Sequence, residues 1–245
     1  MKKRKKANNR VPTGIPELDS LIEGGFISKS VILLAGSPGA GKTTLSAKFI
    51  YEGATKYGSP GVYACFAESK DTFLWATKRF GCDFEDLIRK NMVSILDLAI
   101  GVEIEIQASL NMIMESVLNL GAERLVIDSI TALLSGLDSD LKKRHLTRLL
   151  YKLVKKSGCT TIVIVDMPWG VNRIGAGIEE FITDGIILMT GYYDEKGHLR
   201  RYLRIPKMRG TNHSLGTYEY TIDEHGIHIK TEAVEKDINH QVNGK

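Results

Sequence analysis

The stretch VILLAGSPGAGKTTL, residues 31–45, limits this chain more than any other. Gly36-Ser37-Pro38-Gly39-Ala40-Gly41-Lys42-Thr43 fills every fixed position of the glycine-rich loop that cradles phosphate groups. Glycines let the backbone turn tightly and aim successive N–H groups inward. Those N–H groups, with the start of the next helix at Thr44, are placed to bind phosphate oxygens. The Lys42 ammonium reaches the terminal phosphates as a point charge, and the Thr43 hydroxyl suits Mg²⁺. The flanks agree. Residues 31–35 are an unbroken apolar run, as a strand buried on both faces requires. After the loop, Leu45, Phe49 and Ile50 recur at helical spacing.

Hydrophobic residues make up 43% of the 245, enough for a large core, and the length suits one domain. No apolar run approaches the roughly 20 residues that a membrane helix needs. MKKRKK at the amino terminus has no apolar stretch behind it, so it does not read as a secretory signal, and a cytoplasmic location is expected. Cys65, Cys82 and Cys159 are isolated and odd in number, which favours reduced thiols. His225 and His228 lie close together without a second ligand cluster, and read as surface-strand residues. Net charge is +4, but residues 1–10 hold six Lys/Arg and no acid, so the rest is slightly acidic. Residues 1–10 read as a disordered basic tail, either merely solvated or a contact for nucleic acid or an anionic surface.

Along the chain, residues 11–30 form a lead-in with a turn at Thr13-Gly14-Ile15-Pro16 and a short helix over 17–22. Residues 61–67 read as a second buried strand. Helices follow over about 69–79 and 83–90, then a strand over 92–98 and a helix over 107–120. Arg124-Leu125-Val126-Ile127-Asp128-Ser129 is an apolar strand ending in an acid. Downstream of the phosphate loop, such a strand delivers one carboxylate to Mg²⁺, and Asp128 is assigned to it. Residues 141–156 are amphipathic, with Leu146, Leu149, Leu150 and Leu153 on one face and seven Lys/Arg on the other. Residues 160–166 give a fifth buried strand, and 168–177 a glycine-rich surface loop. From 181 to 230 short strands alternate with Gly/Asp turns, as in antiparallel hairpins. The expected fold is α/β, a mainly parallel sheet flanked by helices with a carboxy-terminal antiparallel extension. One domain is expected over 11–230, with a flexible tail over 231–245.

With these residues collected, the chain resembles the RecA-type P-loop ATPases, and within them the KaiC-like branch with its archaeal recombinase-paralogue relatives. The likeness covers about residues 11–230. It rests on TGIPELDSLIEGGF, GSPGAGKTT, GVYACFAES, LVIDSITALL, GIEEFITDGI and KMRGTNHS. It implies a RecA-like core that binds ATP and Mg²⁺ at sites formed between neighbouring subunits, often in hexameric rings or filaments. Carried over to this sequence, it makes Lys42 and Thr43 the phosphate and metal residues and Asp128 the second metal residue. Glu68 matches the carboxylate that activates the attacking water. Read from the residues alone, the alternative is that Glu68 merely caps the helix that follows. The clock members of the family have two consecutive glutamates here, where this chain has Ala67-Glu68. Lys207 and Arg209 resemble the cations that reach a neighbour's terminal phosphate, and at spacing two on a strand they would point the same way. Glu179-Glu180 stand where one half of the clock proteins carries hydroxyl phospho-acceptors.

Three functions follow as expectations. The first is a slow Mg²⁺-dependent ATPase coupled to oligomerisation or partner switching. The second is a DNA-binding protein controlled by ATP, using loops over 135–140 and 168–177, with Trp169 and Arg173 as stacking and phosphate contacts. The third is a non-hydrolysing ATP sensor that docks on a partner protein, with Ala67 as the feature in its favour.

Overall fold

The computed structural model describes residues 9–98, 103–170, 174 and 179–234. The chain opens with β1 (Arg10–Val11), α1 (Pro16–Leu21) and β2 (Phe26–Ile27), the two short strands pairing antiparallel. Then β3 (Val31–Gly36) runs into the glycine-rich loop and α2 (Lys42–Lys56). The series continues through β4 (Gly61–Cys65), α3 (Lys70–Lys78), α4 (Glu85–Arg89), β5 (Val93–Asp97), α5 (Glu103–Leu120) and β6 (Arg124–Asp128). It ends with α6 (Ile130–Leu134), α7 (Asp140–Ser157), β7 (Thr160–Asp166), α8 (Glu179–Ile182), β8 (Gly185–Tyr193), β9 (Leu199–Met208), β10 (Thr217–Asp223) and β11 (Gly226–Ile229).

Nine strands form one sheet in the order β11-β10-β9-β8-β3-β7-β6-β4-β5. From β8 to β5 every pairing is parallel, and β9, β10 and β11 add an antiparallel extension on the β8 side. The phosphate-loop strand β3 is thus central, which explains its uninterrupted apolar sequence. Its side chains alternate between two cores. Ile32 and Leu34 join Phe26, Phe49 and Tyr63 under α1 and α2, while Val31, Leu33 and Ala35 meet α5, α6 and α7.

Arg124 fastens the lead-in to this frame. It is 1% exposed, donates to the carbonyls of Pro12 (2.9 Å) and Phe49 (2.8 Å), and lies over the Phe49 ring at 4.6 Å. Gly53 makes room for it, since a Cβ there would stand 2.4 Å from the guanidinium nitrogen. Burial lowers its pKa to about 10.

The structure departs from the sequence reading in local ways. The second buried strand ends at Cys65, and residues 66–68 bend away beyond its carboxyl end. Helix α5 starts four residues earlier than the apolar spacing suggested. The buried face of α7 is centred on Thr147, Leu150 and Val154, with Leu146 and Leu153 only partly covered. Arg10 lies in β1, and the described chain runs on to Val234, whose N–H donates to the Thr217 carbonyl. Arg173 and most of the loop over 168–177 lie outside the described residues.

Candidate functional site

The loop after β3 is shaped by contacts that admit only glycine at two points. A Cβ on Gly36 would lie 2.1 Å from the Met189 carbonyl oxygen of β8, so the two strands can close only without a side chain. Gly41 has φ 86°, and a Cβ there would meet Ile222 of β10 at 2.3 Å. Gly41 opens α2 with no side-chain cap, and no acid occupies the first turn. The helix therefore presents its first N–H groups and positive dipole end to the cleft, a favourable arrangement for an anion.

Lys42 is 7% exposed and folded back on the loop. Its ammonium donates to the carbonyls of Gly36 and Ser37, both at 3.0 Å, and pairs with Asp166 at 3.1 Å. Thr43 Oγ1 donates to Asp128 Oδ2 (2.9 Å), and the Tyr63 hydroxyl donates to the same oxygen (2.7 Å). Ser46 Oγ lies 3.0 Å from the Tyr63 hydroxyl. Ser129, joined to Asp128 by a cis peptide bond, donates to Asp166 at 2.6 Å. Burial pushes the Asp128 carboxyl up, against the pull of Tyr63, Thr43 and Lys42. Asp128 ends β6 and Asp166 ends β7, so both carboxylates sit where parallel strands deliver them, beside the loop.

Glu68 stands in the bend between β4 and α3, half-buried, with its pKa raised by burial and by the nearby Asp128. The cleft of about 600 Å³ is lined by Lys42, Thr43, Thr44, Glu68, Asp128 and Asp166 among others. The sequence-selected residues Pro38, Gly39 and Gly41 line it too, as does Ala67 at its exposed rim. The antiparallel extension closes the loop from the other side. Arg201 donates to the Gly39 carbonyl (3.1 Å), and Tyr220 donates to the Ala40 carbonyl (2.5 Å).

The residues fit a Mg-nucleotide. Ser37 Oγ is buried in the loop with no partner. The hydroxyl of Thr43 and the carboxylate of Asp128 are hard oxygen donors side by side, as Mg²⁺ prefers. No cluster of three or more His, Cys, Asp or Glu suited to a metal exists among the described residues.

Lys207 and Arg209 are not in this cleft. Along β9, Leu203 pairs with Met189 next to Gly36, whereas Lys207 pairs with Ile186 and Met208 with Gly185, next to Ile32. They stand at the opposite end of the sheet, six residues or about 20 Å beyond Arg201. The strand also ends at Met208, so Arg209 lies just past it rather than two along it. Lys207 donates to the Glu180 carbonyl (2.8 Å), and burial together with Arg209 holds its pKa down. The Arg209 side chain is 57% exposed and 4.0 Å from Asp184.

Sequence reasoning missed Tyr63, Asp166, Arg201 and Tyr220. Asp166 carried a usable signal, an acid ending an apolar strand, as Asp128 does. The others needed the fold. Of the residues selected for DNA contact, Trp169 is 47% exposed and stacks on Tyr193, with ring centroids 6.2 Å apart.

A family model described as "ATPase: KaiC" matches residues 11–234. A circadian clock oscillator protein KaiC of Synechococcus elongatus is 31% identical over 90% of this chain and 44% of its own length. A UPF0273 protein of Pyrococcus horikoshii is 31% identical over 93% of this chain and 96% of its own. A solved KaiC-like protein from Pyrococcus horikoshii superposes with a TM-score of 0.82 at 37% identity, covering 90% of this chain and 98% of its own. The chain spans about half the length of the KaiC relatives it matches.

Proposed function

The chain belongs to the KaiC family of ATPases, and from that premise we propose that it binds ATP with Mg²⁺ and hydrolyses it slowly, at sites completed by a neighbouring copy. One observation carries the reading: Lys42, Thr43, Asp128 and Glu68 converge on a single cleft at one end of the sheet. Mg²⁺, once bound, would draw negative charge from the terminal phosphates. The protein's residues do the rest. Loop N–H groups and the α2 terminus hold the phosphates. Lys42, held nearby by the carbonyls of Gly36 and Ser37 and by Asp166, exchanges those carbonyls for phosphate oxygens. Asp128, aligned by Tyr63 and Thr43, faces the metal position. Glu68 orients the attacking water and accepts its proton.

Among the described residues, the cations lining this cleft are Lys42 and the half-exposed Arg201. Lys207 and Arg209 lie too far along β9 to serve their own site. Stacking one copy's far sheet end on the next copy's cleft supplies them in trans, as a hexameric ring or filament would. Sizing with light scattering, apo and with Mg-ATP, tests this when phosphate release is read from the same fractions. The expected result is an ATP-dependent oligomer that releases phosphate. A monomer that binds ATP without turnover would overturn it in favour of a sensor. No helix among the described residues is long and apolar enough to cross a membrane.

A further inference from the structure

On α7 the cations are arranged unlike those of the other helices. In α2, Lys48 and Lys56 both pair with Glu52, at 3.0 and 2.8 Å. In α4, Arg89 and Lys90 both pair with Asp86. In α7, Arg144, Arg148, Lys152 and Lys156 recur every fourth residue, all exposed, and none has an ion-pair partner among the described residues. Like charges at that spacing repel and destabilise a helix. The only acid on α7 is Asp140, in its first turn. At about 100° per residue the four cations span an arc of about 120°. Lys155 falls inside that arc, though its ammonium is 2.5 Å from Asp184. The arc lies on the side away from buried Thr147, Leu150 and Val154. From Arg144 to Lys156 the row is about 18 Å long, with a cation about every 6 Å.

We propose that this face of α7 is a nucleic-acid contact that binds the phosphate backbone without reading sequence. Charge complementarity selects the occupant. A continuous row of unpaired cations, two of them arginines, matches a regular row of phosphates. A membrane surface is disfavoured because the apolar face of α7 is already spent on the core, and Leu141, 78% exposed and just ahead of the row, is the one large apolar side chain the helix leaves to solvent. An acidic protein would need an apolar anchor at the centre of the row, and there the residues are charged.

The test uses the full chain without nucleotide and a fluorescein-labelled oligonucleotide, as single strand and as duplex, titrated over a range of KCl. Wild type is expected to bind both. In R144Q/R148Q/K152Q/K156Q the log–log salt slope should be shallower by about 3, four contacts at 0.7–0.9 each, with affinity about tenfold lower or worse near 0.1 M salt. Should the quadruple variant fold poorly by circular dichroism, R144Q/R148Q and K152Q/K156Q are each expected to take about half of the slope change. A second variant with Lys2, Lys3, Arg4, Lys5 and Lys6 changed to Gln separates the basic amino terminus. The slope change caused by α7 should persist in that background. Unchanged binding in the α7 variants overturns the proposal. So does loss confined to the amino-terminal variant, failure of wild type to bind, or tighter binding to polyglutamate or phosphatidylserine vesicles than to the oligonucleotide.

Discussion

The two ends of the central sheet are built differently. At the carboxyl ends of the parallel strands, functional groups are locked in place. Lys42 makes three polar contacts, Asp128 receives two hydrogen bonds on one oxygen, and Asp166 is held by Ser129. At the other end, Lys207 donates to the Glu180 carbonyl, and the exposed Arg209 side chain lies 4.0 Å from Asp184. One end is prepared to receive a ligand. The other carries two cations about 20 Å from that cleft. The same strand, β9, carries Arg201 to the first end and Lys207 to the second. It therefore couples a chain's own phosphate loop to the face that, on the proposed reading, serves a neighbour.

Lys42→Ala should break the prepared end most completely. Nucleotide affinity and turnover are both expected to disappear, as read by isothermal titration and phosphate release. At the far end, Lys207→Ala or Arg209→Ala should lower turnover by about 10³, the order found for cations supplied in trans, with ATP binding retained. Mixing either variant with Lys42→Ala subunits is expected to restore part of the activity, because some interfaces then combine an intact loop with intact cations. Mixtures that recover nothing would place Lys207 and Arg209 outside the reaction.

Glu68→Gln tests the boundary between holding and reacting. ATP binding should remain, and turnover should fall by about 10² or more. Burial and Asp128 raise the Glu68 pKa above its ordinary 4.5. The base works only as a carboxylate, so the rate should fall as pH drops through that raised value, with the acid limb above the ordinary glutamate value. In Glu68→Gln the limb should vanish from any residual rate. Undiminished turnover in that variant would return Glu68 to a helix-capping role.

How much of this was legible beforehand differs between the two ends as well. The prepared end announces itself locally. Strand, glycine loop and helix are contiguous, and Asp128 ends an apolar run, so Gly36 to Thr44 and Asp128 could be placed from spacing alone. Tyr63 could not. It sits inside an apolar strand, and only the parallel pairing of β4 with β6, which sets Cys65 opposite Asp128, brings its hydroxyl to that carboxylate. Arg201 and Tyr220 were equally hidden, because their contacts with the loop cross more than 160 residues of sequence. The far end was visible only through family resemblance. Its two cations have no local signature apart from a generally basic strand, and the expected strand geometry failed at Arg209, one residue past the end of β9. The α7 row was legible as charge, but its lack of partners was not.

The smallest predicted effect sharpens the comparison at the prepared end. Tyr63→Phe removes one hydroxyl from a buried position and leaves the ring packing against Phe73, 4.3 Å away between centroids. The hydrogen bond it deletes favours the ionised form of Asp128. Its loss should push that carboxyl still further up, beyond the rise that burial already causes. The carboxylate is the form that meets the metal, so Mg-ATP binding should weaken several-fold at moderately acidic pH and recover toward wild type as pH rises. The cost in folding stability should be about 1.5–3 kcal/mol, the usual size for one hydrogen bond to a charged group. Measuring Mg²⁺-dependent ATP affinity against pH, beside thermal unfolding of the same variant, separates the two effects. A uniform loss of affinity at all pH values would mean that Tyr63 only packs, and that Thr43 alone aligns Asp128.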